Sequence, residues 1–310
     1  MPEPAPGPGI GGVMADSKAD WIASMRRADF AAAWAIAQRH MQGRDPARRD
    51  DPALPYHRRW VWDGRPYDGR HCLVRCYHGL GDSIQFARFL LLLAERAASL
   101  TVEMQPRLID LMADGQGAMR FVPFDEARPL PPSQCDLEIT ELDFALRSTP
   151  ADAAMPYLSA QRAVLPGGSV GICYGAGGWD PARSVPPELF APLCDRAPCI
   201  SLMPEPTSLP VLNPAGCPYD MRATAALVAG AGLIVTVDTM IAHLAGALGK
   251  PVWLLLKSDP DWRWPLGERW TPLYPSMRVY AQPRAGDWEA VLAKVLRDLA
   301  VHPAAQAEER

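Results

Sequence analysis

Two apolar runs, LIVTV at Leu233–Val237 and VWLLL at Val252–Leu256, flank the small-residue stretch DTMIAHLAGALGKP. Strands without polar alternation are buried on both faces. Two of them this close in sequence become neighbours when a short helix carries the chain back, and the pair is then parallel. Such a βαβ unit requires helices on the faces of its sheet, which commits this part of the chain to an α/β layer fold.

The same alternation runs through the rest of the chain. CLVRCY, TVEMQ, MRFVPFD and CDLEIT read as strands, with SIQFARFLLLLAERAASL and PRLIDLMADG as helices between them. After the connector MPYLSAQRAVLPGG the pattern restarts with SVGICYG, PPELFAPLCDRA, CISLM and MRATAALVAGAG, and it closes on MRVYAQ and DWEAVLAKVLRDLAV. A chain of 310 residues, 48% hydrophobic and 21% charged, holds about two globular domains. The expected division is a disordered Pro/Gly-rich start over 1–16, a helical segment and connector over 17–62, and Rossmann-like domains over 63–164 and 165–310. In such sheets ligands bind at the carboxyl ends of the strands.

Several function classes are disfavoured. A net charge of −4 supplies no basic field for nucleic acid. Seven scattered cysteines fit reduced thiols in a cytoplasmic protein better than a disulfide framework. Cys72, Cys76 and His78 share one strand face, but their sulfurs would stand about 13 Å apart, too far to share a zinc ion. No metal or other cofactor is expected. The start, MPEPAPGPGIGGVMAD, lacks the basic and apolar regions of a secretory signal, and FLLLLA is far too short to span a bilayer.

Three places carry candidate chemistry. Asp238 ends a strand and Thr239 opens the following helix, so the backbone N–H groups of residues 239 to 241, Met240 among them, form a positive helix end suited to phosphate. His243 lies one turn on, on the same face. Equally, Asp238 and Thr239 suit a plain helix cap and His243 a hydrogen-bonded core histidine. In CYHGLGDSIQF, Gly79 and Gly81 suggest a tight turn that lifts Asp82 to the top of the first sheet. Asp82 then reads either as a general base or as a helix cap. In GICYGAGGWDPARS, Arg183 and Ser184 follow a glycine loop, where Arg183 reads as a diphosphate ligand or as a solvated surface residue. Ile84 and Asp180 occupy the third-glycine positions of the dinucleotide fingerprint, so neither loop satisfies it.

Three stretches together, HGLGDSIQFARFLLLL, VDTMIAHLAGALGKPVWLLL and PDWRWPLGERWTPLYPSMRVYAQPRAGDW, resemble the heptosyltransferase-like glycosyltransferases of family nine, in particular the branch attached to tetratricopeptide repeats. The resemblance runs from about Trp60 to Leu299. It implies a GT-B fold, two Rossmann-like domains facing a cleft, with a small N-terminal helical segment equal to about one repeat. It also implies inverting, metal-independent transfer of a sugar from a nucleotide-diphosphate sugar, most often ADP-heptose, to a glycan, lipid-linked or protein hydroxyl.

By position, Asp82 matches the implied base, with Gly79, Gly81 and Gln85 on the acceptor side. Asp238, Thr239, Met240 and His243 match the nucleotide-binding motif, and Arg183 with Ser184 a phosphate contact. The loop from Tyr174 to Arg183 is shorter than the branch usually has, which also allows a non-catalytic nucleotide-sugar-binding or scaffold protein. SDPDW resembles a metal-binding D-x-D, yet Asp259 and Asp261 are expected in a structural loop. No membrane span is expected, though peripheral contact is compatible with the reading.

Overall fold

The structure is a computed structural model that describes residues 15–45, 51, 53–54, 59, 61–114, 117, 119–178 and 180–302. The Pro/Gly-rich start through residue 14, Trp60 and Trp179 lie outside the described residues. The chain divides into two compact units, Met1–Ala154 and Met155–Arg310.

The first unit opens with a helical hairpin, α1 (Ala15–Arg26) and α2 (Phe30–Gln42). Asp29 caps α2 by accepting from the Ala32 N–H at 3.1 Å, an arrangement worth about 1 kcal/mol. Arg44, just past α2, donates to the Trp62 carbonyl and to Glu141, and Arg147 lies over the Trp34 and Phe144 rings. These contacts fasten the hairpin to the rest of its unit.

The sheet of this unit is parallel, in the order β3-β2-β1-β4. Its strands are β1 (His71–Arg75), β2 (Ser99–Met104), β3 (Met119–Pro123) and β4 (Cys135–Glu138). The chain steps outward from β1 to β3 and then returns to the other side of β1. The strand order therefore reverses between β1 and β4, which is where an open α/β sheet forms its ligand crevice.

SIQFARFLLLLAERAASL is not the one helix that its pattern predicts. It forms two short helices, Leu80–Ala87 and Leu90–Ala94, and its last two residues begin β2. The Phe89 N–H bonds to the Phe86 carbonyl three residues back, and Arg88 Nε donates to the Gln85 carbonyl. That tightened turn interrupts the α-helical ladder.

The second unit carries a six-stranded sheet, β6-β5-β7-β8-β10-β9. Its strands are β5 (Val170–Cys173), β6 (Cys199–Ser201), β7 (Leu233–Val237), β8 (Val252–Leu256), β9 (Trp270–Thr271) and β10 (Tyr274–Ala281). All pairings are parallel except β9 with β10, a two-residue edge strand that hydrophobic runs do not reveal. Every residue of β7 and β8 is buried, as their unbroken apolar character requires. The closing helix Trp288–Leu299 buries Trp288, Val291, Leu292, Val295 and Leu299 at spacings of three and four against the same core, and Asp287 caps it. Here the order reverses between β5 and β7.

Candidate active site

In the second unit the reversal point gathers most of the residues singled out by sequence. β5 leads into the glycine loop, where Ser184 Oγ accepts from the Ala176 N–H at 3.0 Å and so closes the loop on itself. Arg183, in the one-turn helix Pro181–Arg183, donates from Nη1 to the Asp238 carbonyl at 2.8 Å and stands 3.8 Å from its carboxylate. At 8% exposure it is not the solvated surface residue that the sequence also allowed. Its guanidinium is packed where β7 gives way to the helix Met240–Ala247.

Asp180 and Lys257, which sequence reading did not select, complete the charge set. Lys257 Nζ lies 2.8 Å from the Asp180 carboxylate, whose other neighbour is Arg183 Nε at 3.9 Å.

Thr239 holds the N-cap position in extended backbone, but its side chain makes no capping bond to the helix. The first N–H groups of any helix lack intrahelical acceptors. Thr239 and Met240 are half-buried at that tip. His243 adopts the core arrangement. It is 4% exposed, its Nδ1 is 3.0 Å from the Tyr274 hydroxyl, and its ring stacks on Trp264 at 5.5 Å. Gly246 makes room for this cluster, since a Cβ there would meet the Tyr274 ring at 2.4 Å.

Trp264 is fully buried, and its Nε1 completes no hydrogen bond by geometry, although the indole still steadies the Asp238 carboxylate electrostatically. SDPDW is a loop in which Asp261 pairs with Arg263 at 2.7 Å. Among the described residues no group of three or more His, Cys, Asp or Glu could hold a metal ion.

Burial first, and then the Asp261 charge, push the Asp238 carboxyl up from 3.8 to about 6, against the pull of Arg183, Arg263 and Trp264. Between those values the folded protein keeps a proton that the unfolded chain has released, so this group's contribution to stability declines as pH rises from about 4 to about 6. The shift corresponds to about 3 kcal/mol at neutral pH. Asp238→Asn is therefore expected to raise stability at pH 7 by up to that amount and to flatten the slope between pH 4 and 6. Urea unfolding across that range checks it, and an unchanged slope would refute the assignment.

In the first unit, Gly79, Gly81 and Asp82 lie together after β1, where the expected tight turn is the start of a helix. Gly79 (φ −62°) is the N-cap of Leu80–Ala87, and Gly81 is already inside that helix. Asp82 Oδ2 accepts from the Gly79 N–H at 3.1 Å, which is a capping bond. Gln105, at the end of β2, braces the segment by binding both the His78 carbonyl and the Ser83 hydroxyl. Gln85 is 4% exposed, turned into its own unit.

A group that sequence reading missed lies opposite. Glu138 ends β4 fully buried, against His78 Nε2 and the Thr140 hydroxyl. The available signal was a second acid closing a four-residue strand, CDLE, all of which is buried.

A family model described as Glycosyltransferase family 9 (heptosyltransferase) matches residues 217–280. Protein FlbA of Caulobacter vibrioides is 30% identical over 131 residues, 39% of this chain and 21% of that protein's length. The iron-containing dodecameric glycosyltransferase TibC from enterotoxigenic E. coli aligns with a TM-score of 0.54 at 16% identity, over 73% of this chain and 66% of that one. A glycosyl transferase family 9 protein from Veillonella parvula gives 0.54 at 11% identity, over 78% and 99%. TibC in complex with ADP-D-beta-D-heptose gives 0.52 at 15%, over 76% and 78%. The fold is thus the α/β GT-B type with N-terminal helices, and the family-nine match falls on the stretch from Cys217 through the helix tip to Tyr280.

Proposed function

We propose that the chain is an inverting, metal-independent glycosyltransferase that takes a heptose or similar sugar from a nucleotide-diphosphate sugar, ADP-heptose foremost. The observation that carries the reading is Arg183, buried and bonded to the Asp238 carbonyl at the point where a helix N-terminus opens. A guanidinium beside outward N–H groups is a diphosphate site, and the same groups would stabilise the departing nucleotide diphosphate. Thr239 and Met240 belong to this site, Ser184 shapes its loop, and His243 supports it through Trp264 and Tyr274. On the acceptor side Asp82 would take the proton of a glycan, lipid-linked or protein hydroxyl, with Gly79 and Gly81 bringing the backbone close and Gln85 supporting the helix.

The hairpin α1–α2, from Ala15 to Gln42, is somewhat shorter than one tetratricopeptide-type repeat of about 34 residues, and its helix–turn–helix form supports the repeat-associated branch. Seven free cysteines support a cytoplasmic location. Among the described residues no helix is long and apolar enough to cross a membrane.

Arg183→Ala is expected to weaken ADP binding by about 1–3 kcal/mol, the cost of losing a charge-assisted bond to phosphate. Calorimetry tests this, and an unchanged affinity in a folded variant removes Arg183 from the site. The capping bond of Asp82 favours one second reading, a protein that binds the nucleotide sugar without turnover. Wild-type protein that binds ADP-heptose but never releases ADP in the presence of acceptor extracts would establish that alternative.

A further inference from the structure

Lys257 directly follows β8, Asp180 lies on the glycine loop that follows β5, and β7 runs between those two strands. Their ion pair, Lys257 Nζ to Asp180 Oδ2 at 2.8 Å, bridges across β7 at the carboxyl edge of the sheet, where Asp238 and Thr239 lead into the helix Met240–Ala247. The same Oδ2 stands 3.9 Å from Arg183 Nε. One anionic oxygen is thus held between two cations that come from opposite sides of β7.

We propose that Lys257 is a second cation for the donor diphosphate, and that the Asp180 carboxylate occupies the place of a phosphate oxygen until the donor displaces it. The inference rests on the nucleotide-diphosphate reading of this site and adds to it one ligand residue and one internal competitor. Carboxylate and phosphate oxygens accept the same charge-assisted bonds from Lys and Arg, so each can substitute for the other between these two groups.

The cations differ in what they are free to do. Arg183 is fixed by its bond to the Asp238 carbonyl, and Arg263 is held by Asp261 at 2.7 Å. Lys257 has the most exposed side chain of its group, at 28% against 17% for Asp180 and 9% for Arg183, and its ammonium rides on a flexible four-carbon stem. An ion pair this open to water contributes little, so exchanging Asp180 for a phosphate oxygen costs little. With the donor in place, Arg183 and Lys257 together face the charge of the diphosphate, which a site working without a metal ion must offset from the chain itself.

Calorimetry with ADP tests the proposal through two variants that break one ion pair from opposite ends. A wild type that binds no ADP, or an Arg183→Ala variant that binds it unchanged, overturns the parent reading and this inference with it. With that binding in hand, Lys257→Gln is expected to weaken ADP binding about 10- to 100-fold, and Lys257→Arg to retain most of the affinity. Asp180→Asn removes the competitor and should leave ADP binding unchanged or about two- to five-fold tighter. A pair that only pins the glycine loop would respond in the other way, with both variants losing affinity together. Unchanged affinity in a folded Lys257→Gln variant, or a loss of affinity in a folded Asp180→Asn variant, would overturn the proposal while leaving the Arg183 site standing.

Discussion

Asp82→Asn is expected to slow sugar transfer by about 10² to 10⁴ while leaving ADP affinity and stability nearly unchanged. The argument turns on what asparagine keeps. Its side-chain oxygen can still accept from the Gly79 N–H, the bond that Asp82 makes at 3.1 Å, and Asn caps helices about as well as Asp. It cannot accept a proton from an acceptor hydroxyl. The substitution therefore separates the two roles that one carboxylate fills at this helix start. Steady-state transfer, paired with thermal unfolding to show that the variant is folded, reads the difference. Transfer at the wild-type rate would leave Asp82 as a cap and nothing more.

The largest effect on stability is expected from Arg75→Met, at about 3–5 kcal/mol. Arg75 is fully buried on β1, bonded to Glu103 on β2 at 2.8 Å and to Asp136 on β4 at 3.0 Å, with the Leu130 carbonyl as a further acceptor. Methionine fills much of the volume but leaves two carboxylates buried without their cation, and that uncompensated charge sets the cost. The two acids also accept from the Leu130 and Ser133 N–H groups, so the triad pins the loop between β3 and β4 to the sheet. Replacing all three by apolar residues should recover part of the loss and free that loop. Urea denaturation at pH 7 checks the single variant, and a loss below about 1 kcal/mol would mean that the triad is compensated from elsewhere.

What the sequence disclosed and what it concealed follow one physical division. Strands buried on both faces, such as LIVTV and VWLLL, declare themselves because burial demands an unbroken apolar run. The cap of Trp288–Leu299 and its heptad-like stripe are equally local. Arg183 was ambiguous because nothing near it in sequence says whether it is solvated; its partner, the Asp238 carbonyl, is 55 residues away. Glu138 and Trp264 were missed for the same reason, since His78 and the Asp238 carboxylate reach them only through the sheet order and the return of a long loop. Gly79 and Gly81 misled in another way. They suggested a separate tight turn, whereas the chain uses Gly79 as the N-cap of Leu80–Ala87 and Gly81 in that helix's first turn.

The account's central claim is that the reversal point of the second sheet binds a nucleotide diphosphate. Hydrogen–deuterium exchange with and without ADP tests it most directly. Protection is predicted in two stretches that are remote in sequence, the glycine loop at 175–184 and the helix tip at 237–243, and it should be lost from both in Arg183→Ala. Unchanged exchange in these stretches at saturating ADP, or protection confined to other parts of the chain, would contradict the claim.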